Sequence, residues 1–64
     1  MIDRDRESYL ESARRFREQA AELAHLVRTT RSLRQGSEAR RRQKAYKALA
    51  ENEEWLAGHA DKLA

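Results

Sequence analysis

Glu22 and His25 stand in the stretch Glu22-Leu23-Ala24-His25, the Glu-x-x-His spacing with which helical bundles hold carboxylate-bridged metals. Such a site needs a second Glu-x-x-His aimed at the first, and the chain has no other. At about 100° per residue, both groups also lie about 140–160° from the line through Tyr9 and Val27, where the apolar pattern is centred. They read as solvated surface residues, and no metal site is expected. His59 follows Gly58 beside Trp55. A catalytic histidine needs a nucleophile or carboxylate set in a concave pocket, and two helices have little means of building one. His59 is therefore expected at the edge of an interface, with Gly58-His59 loosening the last helical turn. No phosphate loop, nucleophile–base set or cofactor motif is present. No catalytic residue, cofactor or enzymatic activity is expected.

Charge is the remaining chemical resource. Residues 28–47 carry eight basic groups against Glu38 alone, a net of +7, while residues 1–27 and 48–64 sum to −1 and −3. Within the basic middle, Arg40, Arg41, Arg42 and Lys44 cluster, flanked by Arg34 and Lys47. These six could bind phosphates through a sequence-blind electrostatic term, so a nucleic-acid-binding dimer is the second functional reading. Against it, eleven of the fourteen basic residues are Arg and Ala is equally abundant, a usage that a GC-rich genome imposes on any helical protein. A solvated basic tip is the leading reading.

The elements that position these groups follow from apolar spacing. Tyr9, Ala13, Phe16, Ala20, Leu23, Val27 and Thr30 recur in alternating steps of four and three, the pattern of a helix pressed lengthwise against another. Tyr46, Leu49, Glu53, Leu56, Ala60 and Leu63 repeat the alternation. Asp3 or Asp5 suits the start of helix 1. Two turns compete. Ser32-Leu33-Arg34-Gln35 reads as a capping box that would start helix 2 at Leu33. Gly36-Ser37 reads as a glycine terminator followed by an N-cap. The Gly36 turn is favoured because it sets Val27 on Tyr46, Leu23 on Leu49, Phe16 on Leu56 and Tyr9 on Leu63, whereas a turn near Ser32 sets Leu23 on Ala39 and Val27 on Gly36. Helix 1 is then expected over about 4–34, the turn at 35–37 and helix 2 over about 38–63.

Glu53 is the odd residue of the second line. Burying a carboxylate between helices is costly unless it is paired, so it either meets an arginine, with Arg17 the nearest candidate, or lies at a wet rim. Leu49, Leu56 and Leu63 form one line along helix 2, and Ala48, Asn52, Trp55 and His59 form another. Together they span an arc wider than one partner helix covers. A symmetric dimer, making a four-helix bundle, is the cheapest way to cover it.

Phe16-Arg17-Glu18-Gln19-Ala20-Ala21-Glu22-Leu23, with Tyr46-Lys47-Ala48-Leu49-Ala50, resembles small Ala/Arg/Glu-rich bacterial hairpin proteins of unknown function. Those carry a Thr-x-Asp-Pro turn, and Thr30-Arg31-Ser32-Leu33 lacks both Asp and Pro. In length and layout the chain is also similar to Rop-type dimeric four-helix bundles, in architecture alone. Both resemblances imply a fold rather than an activity.

The expectation is an all-α, antiparallel two-helix hairpin that self-associates and serves as a non-enzymatic interaction or adaptor module. Tyr9, Phe16, Leu23, Val27, Tyr46, Leu49, Trp55, Leu56 and Leu63 carry the association, with Trp55 as its anchor. Its partners are expected to be a second copy and an unidentified protein. With no cysteine and no apolar run near the roughly 18 residues of a membrane span, membrane insertion is not expected, and the cytoplasm is the simplest location. High charge with few aromatics also suits a monomer that orders only on assembly.

Overall fold

In the computed structural model, which describes residues 5–60, the chain is two helices packed as a hairpin, α1 (Arg6–Thr29) and α2 (Leu33–Gly58). Asp5 caps α1, its carboxylate accepting a 2.8 Å bond from the Ser8 amide. The other end of α2 stops where the sequence loosens it, with His59 as C-cap directly after Gly58.

The turn lies at Thr30–Ser32, so the expected turn at 35–37 is wrong: α1 ends five residues earlier and α2 begins five residues earlier than the favoured reading. The reason is local hydrogen bonding. Ser32 Oγ accepts from the Gln35 amide at 3.2 Å, and the Gly36 amide donates to the Ser32 carbonyl at 2.9 Å. The Thr30 hydroxyl accepts from the Ser32 amide at 3.2 Å and donates to Gln35 Oε1 at 3.0 Å. The Thr30 amide itself donates back to Leu26 O at 2.9 Å. Five bonds thus close a three-residue turn and satisfy amides that a helix start would leave bare. A glycine inside a helix costs about 1 kcal/mol relative to alanine, but a serine cap returns about as much, and the Thr30 bonds come in addition. Gly36 has an ordinary helical backbone with no positive φ.

Moving the turn changes the packing. On α1 the apolar line is where its spacing puts it: Ala13 and Ala20 are buried, and Tyr9, Phe16, Leu23, Val27 and Thr30 are half-buried. On α2 the inward line is Ala39, Gln43, Tyr46, Ala50, Glu53, Ala57 and Ala60, still in alternating fours and threes. Leu49, expected in this line, is not part of it and is 44% exposed, while Leu56 is half-buried at its edge. Leu63 lies outside the described residues. Phe16 meets Tyr46, ring centroids 6.1 Å apart, in place of the expected Phe16–Leu56 and Val27–Tyr46 layers. The interior consists of alanines: Ala13, Ala20, Ala39, Ala50 and Ala57 are at most 5% exposed, and among the described residues no large side chain is fully buried. Methyl-sized contacts let two backbones approach closely. They also leave every described leucine at least partly outside.

Candidate functional site

Two surfaces on opposite sides of the hairpin carry the candidate residues. A concavity lined by Leu23, Leu26, Gln35, Glu38, Ala39 and Arg42 marks one side. Seven-residue steps hold a row on a helix to within about 20°, so Arg42 leads to Leu49 and Leu56 along α2, and Leu23 leads to Phe16 and Tyr9 along α1. This side is therefore a band of large apolar groups. Its members Leu26 and Leu49 are 40% and 44% exposed. Of the nine residues expected to carry association, six fall on or beside it: Tyr9, Phe16, Leu23, Tyr46, Leu49 and Leu56. Val27, half-buried between the helices, borders the basic groove instead. Leu26 belongs to the band and was missed; its signal was its three-residue step from Leu23.

Trp55 stands apart on the outer surface of α2, 56% exposed, with its indole stacked on His59 at 4.1 Å between ring centroids. His59 Nδ1 lies 2.8 Å from the Trp55 carbonyl. The ring pair closes the end of α2 and is accessible from outside, which suits an anchor at the margin of an interface.

The second surface is basic. Val27, Arg40, Gln43, Lys44 and Lys47 line one shallow groove, and Val27, Thr30, Arg31, Ser32, Leu33, Gly36, Ser37 and Arg40 line its continuation around the turn. The six cations singled out in the sequence do not form one patch. Arg40, Lys44 and Lys47 line the groove, Arg42 lies on the leucine side, and Arg41 points outward from α2. Arg34 is 90% exposed at its side chain and sits 3.7 Å from Glu38. Arg31, which the sequence reading left out, joins the groove because the turn falls at its position.

Farther from the turn, Arg17 makes a two-pronged bond to Glu54, Nε at 2.7 Å and Nη2 at 2.6 Å. The expected partner was Glu53. One residue along α2 rotates a side chain by about 100°, which leaves Glu53 in the helix interface, half-buried, and swings Glu54 to its edge within reach of Arg17. The hydrogen bond from Arg17 holds the Glu54 carboxyl below its ordinary value, and the same bond raises Arg17. Both side chains are close to half exposed, so the pair acts as a surface clamp across the helices.

Glu22 and His25 are both exposed, as their angular position requires. Among the described residues there is no group of three or more His, Cys, Asp or Glu placed to hold a metal ion, and no helix is long and apolar enough to cross a membrane. Comparison with known protein families, with curated proteins and with solved structures returns no match.

Proposed function

We propose that this chain is a non-enzymatic association module, a helical hairpin that pairs with a second copy through the band of Leu23, Leu26, Leu49 and Leu56 to form a four-helix bundle. One observation carries this reading: the two helices fully bury only alanines, while Leu26 and Leu49 stay 40% and 44% exposed on one face. A hairpin 47 Å long and 20 Å wide offers on the order of 900 Å² per face, against about 800 Å² per partner in a standard-size interface. Covering the band removes large apolar groups from water at about 25 cal/mol per Å². The alanine seam cannot supply that term. The dimer would then serve in the cytoplasm as an adaptor for a protein partner, with Trp55 at its margin.

Sedimentation velocity from about 1 to 100 μM tests the pairing, since a dimer of moderate affinity changes mass across that range. A dimer is expected. Leu26→Glu with Leu49→Glu should shift the mass toward monomer, because a carboxylate at either position would be buried without a partner. A stably folded monomer at the highest concentration would sink the reading.

A further inference from the structure

We propose that the basic groove along α2 is a docking surface for double-stranded nucleic acid, held by phosphate contacts without base readout. Arg40, Lys44 and Lys47 follow one another along α2 at steps of four and three residues, spanning about 10 Å at 1.5 Å rise per residue. A duplex strand presents a phosphate every 3.4 Å or so along its axis, so the row faces about three successive phosphates. Arg31 extends the row around the turn. Among the described residues none of these four cations is ion-paired. Glu38, the one acid in the basic middle, lines the opposite side. Glu51, one turn past Lys47, marks where the basic stretch ends.

Two features choose the duplex over other polyanions. The groove has no aromatic side chain, and single strands are gripped largely by stacking bases on aromatics. A lipid surface is disfavoured by placement. Of the large apolar groups only Val27 and Leu33 line the cationic groove, while the leucine band lies on the opposite face of a hairpin 13 Å through. A membrane that took up the leucines would therefore sit beyond the roughly 8–10 Å over which salt leaves surface charges effective. The same separation leaves the groove uncovered when the leucine band is paired, so the proposal stands independently of dimerisation.

The test is binding of the full chain to a mixed-sequence 20-base-pair DNA duplex, an RNA duplex, the corresponding single strand and anionic lipid vesicles, titrated with salt. With four phosphate contacts per chain, log K should fall with log salt at a slope near −3.6 on duplex DNA. Arg40→Gln, Lys44→Gln and Lys47→Gln together should reduce the slope by about 2.7, and Lys44→Gln alone by about 0.9. Gln is a good helix former, so helicity should hold. Removing Arg6, Arg14 and Arg15 instead should change the slope by less than 1. No duplex binding at about 50 mM salt, tighter binding to single strands or vesicles, or equal losses from both triple variants would overturn the proposal.

Discussion

Gly36→Ala separates the two hairpin registers by the sign of its effect. In the observed register Gly36 is the fourth residue of α2, with a helical backbone, no positive φ and its amide bonded to Ser32 O at 2.9 Å. A methyl built there meets a single neighbour, Thr30 Cγ2 at 3.5 Å, which is ordinary van der Waals contact. Nothing opposes the substitution, so the full helix-propensity difference applies. That difference is about 0.8–1.0 kcal/mol in a helix interior, and discounting for the first turn leaves about 0.5–1 kcal/mol of stabilisation. For a domain of this size 1 kcal/mol moves Tm by about 4–8 °C, so the variant should melt roughly 2–8 °C higher. Circular dichroism at 222 nm reads this directly, provided variant and parent are compared at one concentration. A urea series should show a raised midpoint with an unchanged slope. Had the turn been at Gly36 in a left-handed conformation, the same methyl would cost about 1–2 kcal/mol. A lowered Tm would therefore refute the Ser32 turn and the alanine seam that depends on it.

Other expectations share the same assays. Ser32→Ala removes the side chain that accepts from the Gln35 amide and should cost about 1 kcal/mol, lowering Tm. Gly58→Ala, with nothing within 4 Å of the added methyl, should raise Tm slightly. Because the Arg17 bond depresses the Glu54 pKa, the clamp should stabilise above the ordinary glutamate value of about 4.3 and fade as pH drops through the lower folded value. Glu54→Gln should therefore lose stability at pH 7, where the parent keeps the clamp, and should show a smaller acid-induced loss than the parent. Trp55→Ala should weaken self-association less than Leu49→Glu, as read by sedimentation, because Trp55 sits outside the leucine band. Spin labels at Leu33→Cys, a position 94% exposed, should lie about 40 Å apart in the dimer, since opposed hairpins set each basic turn toward the acidic ends of its partner. A separation under about 20 Å would place like-charged turns together and refute the opposed arrangement.

The helical hairpin was legible from spacing alone, and α1 most completely: every member of the line from Tyr9 to Thr30 is buried or half-buried. In α2 hydrophobic size does not mark the interface. Two lines with the same alternation run along α2, one through Leu49 and Leu56, the other through Ala50 and Ala57. Periodicity cannot rank them, and residue size favours the leucine line. The hydrogen-bonding inventory of the turn was the better arbiter. Ser32 and Gln35 offered a cap in the sequence, and Thr30 was placed to reinforce it. Once the turn is fixed there, the register opposes Phe16 to Tyr46 and the alanines fall inward. The cation cluster was legible as composition and illegible as shape, because consecutive arginines on a helix point about 100° apart. Arg40, Arg41 and Arg42 therefore reach three different surroundings.

The choice of alanine for the interior ties the fold to its surfaces. A seam of methyl groups lets the helices approach closely, yet each alanine contributes little burial, and small domains are already short of buried area. The five bonds at the turn and the Arg17–Glu54 clamp fix the register of the hairpin at two points, near the turn and toward the far end. Register is thus set by polar groups, and the leucines are released from that duty. Leu23, Leu26, Leu49 and Leu56 gather on one face while the groove cations gather on the other. A seam of leucines, with alanines outside, would have reversed this division, burying its apolar area internally and leaving no band to pair. The hairpin's incomplete core and its capacity for association are two consequences of the same register. A change that filled the core, such as leucine at Ala50, would force the helices apart and should disrupt the Phe16–Tyr46 contact before it improved stability.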